Sequence, residues 1–107
     1  MDITIKKLQE QSQDVAKHFP QTTIEQRLLF LVTEVGEVAG EVLNLIGTRG
    51  DVDKDDTRAK LGMEIYDVVW NLCDLANMLE IDLDHAFNKK IIINQTRAWK
   101  GKSAAGQ

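Results

Sequence analysis

The sequence contains little cysteine and no long apolar run. Its one cysteine, Cys73, excludes an intrachain disulfide and any metal site built from cysteines. No apolar stretch has the length of a membrane span, and the N-terminal residues contain no apolar signal core. We therefore expect a cytoplasmic protein with no membrane partner, in which Cys73 is an inert core residue.

The chain also lacks the positive charge that is typical of nucleic-acid-binding proteins. It has 13 Lys and Arg against 17 Asp and Glu, which gives a net charge of −4 and a pI near 5.1. This balance argues against a nucleic-acid partner. A length of 107 residues with 43% hydrophobic residues is that of one globular domain.

Helical patterns cover most of the chain, and the one β-branched run, residues 91–93, lies within one of them. The predicted helices span residues 3–18, 24–46, 56–80 and 83–97. We predict an all-α fold in which four helices in residues 1–100 form a helical bundle that is completed by homo-oligomerisation. From Gly101 onward, residues 101–107 are predicted to be a mobile tail.

Residues with known capping preferences mark most of the predicted helix boundaries. Thr23 and Gln26 have the spacing of a capping box at the start of the second helix. The other predicted boundary residues are Pro20 and Gly47 as helix stops, Asp55 or Asp56 as N-cap of the third helix and Asp82 as N-cap of the fourth. Gly36 and Gly40 are predicted to permit close approach of another helix.

Two helices carry matching lines of acidic side chains, which we call the acidic stripes. The first stripe consists of Glu34, Glu37, Glu41 and Asn44, within a sector of roughly 80° on the second helix. The second stripe, on the third helix, has the same spacing and consists of Glu64, Asp67, Asn71 and Asp74. If the helices pack side by side, the shared carboxylates are costly unless a divalent cation neutralises them. The spacing alone favours neither this metal site nor two solvated helix faces.

Three motifs together resemble those of the MazG-like nucleoside triphosphate pyrophosphohydrolases: EVGE at 34–37, EIYD at 64–67 and K-x-x-x-N-x-x-R at 90–97. The likeness covers residues from about 5 to 99, and the motifs are specific in combination rather than singly. The resemblance implies an all-α enzyme that uses Mg²⁺, with Mn²⁺ as a substitute. Its reaction would cleave (deoxy)nucleoside triphosphates to nucleoside monophosphate and pyrophosphate, for example to cleanse the nucleotide pool.

The resemblance also implies roles for individual residues. The implied Mg²⁺ ligands are Glu34, Glu37, Glu64 and Asp67, with Glu34 or Glu37 as the base that activates water. The implied phosphate ligands are Lys90, Asn94 and Arg97. Three further residues extend the acidic stripes beyond these motifs, namely Glu41, Asn71 and Asp74. They either support the ligands or bind a second cation, or they are simply polar residues at a bundle end or a subunit contact. His18 and Trp70 are candidate nucleobase contacts, although such side chains more often pack in a core or interface.

The long second and third helices are apolar around most of their circumference, more than one small four-helix unit can bury. We therefore predict a homodimer or a homotetramer built as a dimer of dimers, and the resemblance implies active sites near the subunit contact. Two alternatives remain open. One is a phosphoribosyl-ATP pyrophosphohydrolase, and the other is a non-enzymatic helical oligomerisation module that binds a basic partner.

Overall fold

The structure, a computed structural model, describes residues 2–47 and 52–105. It contains four helices: α1 (Ile5–Ala16), α2 (Ile24–Ile46), α3 (Lys54–Met78) and α4 (Leu83–Ala105). The described residues form no β-strand. The predicted all-α class is therefore confirmed. None of these helices combines the length and apolar character that crossing a membrane requires.

α3 is the helix on which two of the other three helices pack. α2 lies along α3, α1 packs on α3, and α4 packs on α1. Cys73 and Ala76 of α3 are buried where these helices meet, which confirms the predicted place of Cys73 in the core. Burial raises the pKa of its thiol, so the side chain stays protonated and unreactive.

A single chain is more extended than a closed domain of its size. Its radius of gyration is 17.8 Å, whereas a compact domain of 100 residues has about 13 Å. The surroundings of Gly36 and Gly40, where close approach of another helix is predicted, illustrate this open packing. A Cβ atom added at Gly36 or Gly40 would have no atom within 4 Å, so the prediction that these glycines admit another helix is wrong within one chain.

Both predicted boundaries of α2 are confirmed. Oγ1 of Thr23 accepts a hydrogen bond from the backbone N–H of Gln26 at 3.1 Å, and Oε1 of Gln26 accepts one from the N–H of Thr23 at 3.0 Å. Gly47 is the C-cap. A Cβ atom at this position would lie 2.9 Å from the carbonyl oxygen of Leu43, so glycine is required for steric reasons.

The starts of α1 and α3 differ from the prediction. α1 begins at Ile5 rather than Ile3, because Thr4 accepts a hydrogen bond from the N–H of Lys7 and caps it. α3 begins at Lys54, because Asp53, and neither Asp55 nor Asp56, is its N-cap. Oδ1 of Asp53 accepts from the N–H groups of both of these aspartates. Residues 48–51 of the predicted loop lie outside the described residues.

α4 continues to Ala105, beyond the predicted end at Arg97. The alanines at its end favour helix more than any other residue type, which offsets the single Gly101. The mobility predicted for the tail stays a prediction. Terminal turns of a helix fray readily, so a helix that continues to Ala105 does not contradict it. Residues 106 and 107 lie outside the described residues.

The corner between α3 and α4 is a Schellman motif with a glutamate in the position usually held by glycine. The N–H of Ile81 donates to the carbonyl of Ala76 at 2.8 Å, and the N–H of Glu80 donates to that of Asn77 at 3.2 Å. Glu80 has a φ of 57°, a left-handed conformation that costs a non-glycine residue about 1 kcal/mol. Asp82 then accepts from the N–H of His85, which confirms it as the N-cap of α4.

Gln9 of α1 holds this corner in place. Its side-chain amide donates to the carbonyl of Ile81 and accepts from the N–H of Leu83, and its backbone carbonyl accepts from the side chain of Asn77. These bonds join α1 to the end of α3 and the beginning of α4.

We expect Gln9→Ala to lower the free energy of unfolding by about 1–3 kcal/mol, because two backbone groups of the corner lose their partner. Chemical denaturation followed by circular dichroism measures this change. Gln13→Ala, one turn later at an exposed position of the same helix, is the matched control and should have little effect. Equal losses in both variants would contradict the role of Gln9.

Candidate functional site

The packing of α2 on α3 brings the two acidic stripes together. The charges of Glu37, Asp67 and Glu64 all act on Glu34, and those of Glu41, Glu37 and Asp67 act on Glu64. We call the surface formed by Glu34, Glu37, Glu41, Glu64 and Asp67 the acidic cleft. The four implied metal ligands thus lie close together, as the stripes predicted.

Two carboxylates of the acidic cleft are poorly solvated. Burial is the main cause that raises the pKa of both Glu34 and Glu64, and the neighbouring negative charges raise it further. Oε2 of each side chain is buried without a hydrogen-bond partner. Because the two oxygens come from different helices, they offer a hard cation ligands from both sides of the cleft.

The acidic cleft does not contain a preformed coordination sphere. In residues 2–47 and 52–105, no three His, Cys, Asp or Glu side chains are already arranged to hold one metal ion. The structure therefore shows a shared negative charge and unpaired oxygens, and the flexible glutamate side chains would have to turn toward a bound cation.

Asn71 and Asp74 of the second stripe are held by Arg27 of α2. Nη1 of Arg27 donates to Oδ1 of Asn71 at 2.7 Å. Its Nε lies 2.7 Å from Oδ2 of Asp74, an ion pair in which the N–H is not aligned for a hydrogen bond. Both partners are almost fully buried, at 6% and 5% exposure. These two residues lie behind the acidic cleft, where supporting the implied ligands suits them better than direct coordination.

Arg27 also contacts two aromatic rings and is not among the site residues predicted from the sequence. Its guanidinium lies 5.1 Å from the ring centre of Trp70 and 5.6 Å from that of Phe30, within the range of cation–π attraction. The sequence does contain a sign of this role. Arg27 lies seven residues before Glu34 and therefore on the same face of α2 as the first stripe. The second stripe thus has a basic partner that comes from the neighbouring helix α2.

Two grooves meet at this aromatic pair. A narrow groove of about 330 Å³ contains Glu34 and Asp67, and a wide one of about 1010 Å³ contains Phe19 and Met78. Arg27, Phe30 and Trp70 line both grooves. The half-buried Trp70 therefore lies where a ligand reaching from the acidic cleft would place a ring. The other candidate base contact, His18, is exposed and lines neither groove.

The implied phosphate ligands Lys90, Asn94 and Arg97 are not part of these grooves. They are exposed on α4, which packs on α1. Within the part of the chain that the structure describes, Lys90 and Arg97 form no ion pair, and neither is among the charges that act on Glu34 or Glu64. One chain alone does not bring them to the acidic cleft.

The raised pKa values predict how stability depends on pH without metal. Glu34 and Glu64 bind protons more tightly in the folded chain, so the free energy of unfolding falls as pH rises above their ordinary pKa of 4.5 and stays lower above the raised values. Glu64→Gln removes one of these charges. We expect it to raise Tm in EDTA at neutral pH and to have much less effect near pH 4.5.

Thermal unfolding followed by circular dichroism at both pH values tests this expectation. Glu10→Gln, at an exposed position of α1, is the matched control for loss of one negative charge. A lower Tm of Glu64→Gln at neutral pH would show that the carboxylate is stabilising and would contradict the strain in the acidic cleft. Added Mg²⁺ should stabilise the unmodified chain more than Glu64→Gln.

No known family profile matches the chain, and no solved structure matches it. The chain is similar to the Gene 37 protein of Mycobacterium phage L5, with 31% identity over 71 residues. The match covers 66% of this chain and 62% of that protein, so the chain spans less than two thirds of the length of this relative.

Proposed function

We propose that the chain is a Mg²⁺-dependent nucleotide pyrophosphohydrolase of the cytoplasm, which cleaves (deoxy)nucleoside triphosphates to nucleoside monophosphate and pyrophosphate. The observation that carries the proposal is the acidic cleft, in which two helices contribute carboxylates with buried, unpaired oxygens. The motifs that resemble those of MazG-like enzymes supply the same residues. A cleft of this charge repels a triphosphate unless cations bind with it.

The donor set of the acidic cleft fits Mg²⁺ or Mn²⁺. The ion would be held by Glu34, Glu37, Glu64 and Asp67, and when bound it would neutralise the triphosphate and polarise a phosphoryl oxygen. Phe30 and Trp70, which line the groove beside the cleft, would contact the nucleobase. Arg27, which is held by Asn71 and Asp74, would fix the ring of Trp70 for that contact.

Glu34 is the better candidate for the base that accepts a proton from the attacking water. Its pKa is raised by burial and by the charges of Glu37 and Asp67, toward the range in which a carboxylate accepts protons effectively. Its Oε2 is the atom with no hydrogen-bond partner. The exposed Glu37, for which we propose a metal-binding role, acts on Glu34 through its negative charge.

A substrate screen tests the proposal directly. The purified chain is incubated with common and damaged (deoxy)nucleoside triphosphates and with phosphoribosyl-ATP, and both pyrophosphate and monophosphate are quantified with Mg²⁺ and with EDTA. We expect equal amounts of the two products with Mg²⁺ and none with EDTA. Release of orthophosphate, or turnover in EDTA, would contradict the proposal. Preference for phosphoribosyl-ATP would identify the alternative enzyme.

A non-enzymatic oligomerisation module is the second candidate, because much apolar surface is exposed. On α2 the exposed apolar side chains include Leu28, Leu29, Val32, Val35, Leu43 and Ile46. For either function we propose a homodimer or a dimer of dimers that covers this surface. Calorimetry separates the candidates. Mg²⁺ binding that Glu37→Ala abolishes supports the enzyme, and tight metal-free binding of a basic protein supports the module.

A further inference from the structure

Arg27 keeps unused hydrogen-bond donors, although most of its side chain is enclosed. The side chain is 14% exposed, and Nε is the guanidinium nitrogen that is buried without a hydrogen-bond partner. Nη1 donates to Asn71 and has a second N–H. Within residues 2–47 and 52–105, Nη2 donates to no protein group, and it is not buried. N–H groups of Arg27 are therefore open to the two grooves that this residue lines.

The guanidinium of Arg27 is held in place by its neighbours. Oδ2 of Asp74 lies 2.7 Å from Nε, and Oδ1 of Asn71 accepts from Nη1 at 2.7 Å. The ring centres of Trp70 and Phe30 lie 5.1 Å and 5.6 Å from the guanidinium. A planar group fixed in this way loses little conformational freedom when it donates to a ligand. It is suited to selecting a ligand by the position of the ligand's acceptors.

The charges around Arg27 favour an uncharged acceptor. Asp74, at 5% exposure, neutralises the guanidinium through a buried ion pair, and Glu34 and Asp67 of the acidic cleft line the same narrow groove. A phosphate or carboxylate placed against Arg27 would be repelled by these negative charges. The carbonyl oxygen or ring nitrogen of a nucleobase would not. The unused N–H groups therefore suit the edge of a base.

The grooves provide both a stacking surface and space for a base. Phe30 is 54% exposed and Trp70 is half-buried, and both line the two grooves together with Arg27. Stacking on an aromatic ring is possible for every base, so these rings do not select among bases. The wide groove has a volume of about 1010 Å³, which leaves room for a purine. Selection is then left to the polar group beside the rings, which is Arg27.

The bases differ in the acceptors that they offer to an arginine. Guanine has two adjacent acceptors, O6 and N7, and one guanidinium contacts both at once. Adenine has N7 beside an amino group, which is a donor, and cytosine likewise has an amino group on the corresponding edge. Thymine and uracil offer one carbonyl oxygen there. Guanine is thus the base that engages two N–H groups of Arg27 without opposing them with a donor.

We propose that Arg27 selects guanine, so that the substrate is a guanine nucleoside triphosphate. The inference deepens the proposed function and rests on it for the triphosphate, whereas the choice of base rests on Arg27 and the grooves. Arg27 would contact the base and not the reacting phosphates, so it determines specificity and does not take part in the chemical step.

Calorimetry with nucleoside monophosphates tests the inference without any turnover. The probes are guanosine monophosphate, its 7-deaza analogue, which lacks the N7 acceptor, and adenosine monophosphate, each titrated into the chain with Mg²⁺ present. We expect guanosine monophosphate to bind about tenfold or more tighter than the other two, the discrimination expected of one bidentate contact. Inosine monophosphate keeps both acceptors and should bind as guanosine monophosphate does.

Arg27→Lys is the matched variant, because it keeps a positive charge beside Asp74 but replaces the planar group by a single ammonium. We expect it to bind the guanosine, 7-deazaguanosine and adenosine probes within about threefold of one another, since no bidentate contact remains. Arg58→Lys, at the exposed pair with Asp55, is the control and should keep the full preference. The double variant Arg27→Met with Asp74→Leu removes the guanidinium without leaving a buried charge and should lose the preference as well. Circular dichroism verifies that each variant is folded.

The results distinguish failure of the inference from failure of the proposed function. Equal binding of all probes by the unmodified chain, or a guanine preference that persists in Arg27→Lys and in the double variant, would overturn the role of Arg27. Release of pyrophosphate in the substrate screen would then still support the pyrophosphohydrolase. A guanine preference that Arg27→Lys abolishes, in a chain that hydrolyses no triphosphate, would support the role of Arg27 and remove the proposed reaction.

Discussion

Glu37→Gln is expected to lower the turnover of nucleoside triphosphates by about 100-fold or more. Loss of a group that only orients a metal ligand already lowers activity by about 10- to 100-fold, and loss of a proposed ligand should cost at least as much. The same substitution should leave Tm in EDTA unchanged or higher. The charge of Glu37 raises the pKa of both Glu34 and Glu64, and a neutral amide of the same shape removes this repulsion. Activity and metal-free stability should therefore change in opposite directions.

Steady-state kinetics with Mg²⁺ and thermal unfolding in EDTA measure the two effects on one preparation. Asp67→Asn should behave in the same way, because Asp67 acts on the same two glutamates from α3. Glu10→Gln serves as the control and should keep normal turnover. If Glu37→Gln kept near-normal turnover, the acidic cleft would not be the metal site.

Arg27→Met is expected to lower the free energy of unfolding by about 3–5 kcal/mol, the usual cost when a buried ion pair loses one partner. Asp74 is 5% exposed and would keep a negative charge with no cation beside it. Asn71 would lose its bond to Nη1 of Arg27, and Phe30 and Trp70 would lose the guanidinium between them. Chemical denaturation at a fixed chain concentration measures the loss, since an oligomer's stability depends on concentration.

The double variant Arg27→Met with Asp74→Leu separates charge from packing. Replacing both partners of a buried pair by apolar side chains of similar size is often nearly neutral, so much of the lost stability should return. Arg58→Met, at an exposed pair with Asp55, is the matched control and should cost less than about 1 kcal/mol. If Arg27→Met lowered the free energy of unfolding no more than this control does, the buried pair of Arg27 and Asp74 would contribute little to stability.

The helices and the acidic stripes could be predicted because both depend on local sequence. The capping box at Thr23 and Gln26 satisfies backbone groups within one turn, and the spacing of Glu34 and Glu37 fixes their common face whatever surrounds them. The sequence predicts the cap of α3 at Asp55 or Asp56 instead of Asp53, because three aspartates within four positions can each cap a helix start. Only the backbone geometry selects one of them.

The environment of the stripes could not be predicted, since it is set by tertiary packing. Nothing near Asp74 in the sequence indicates that Arg27, 47 positions earlier, is its partner. The location of Lys90 and Arg97 outside the grooves follows from the packing of α4 on α1, which no periodicity reveals. The excess of apolar side chains on α2 was predicted, and the structure indeed leaves Leu29 and Ile46 exposed.

The backbone conformation of Glu80, the left-handed residue at the corner between α3 and α4, has a large effect on the position of α4. A helix of 23 residues is about 34 Å long, so a change of 10° at its base displaces its far end by about 6 Å. The backbone angles of Glu80 and the hold of Gln9 thus determine where Arg97 lies more strongly than any residue near Arg97 does. Glycine at position 80 would remove the conformational cost of the left-handed Glu80, but it would also widen the range of directions available to α4.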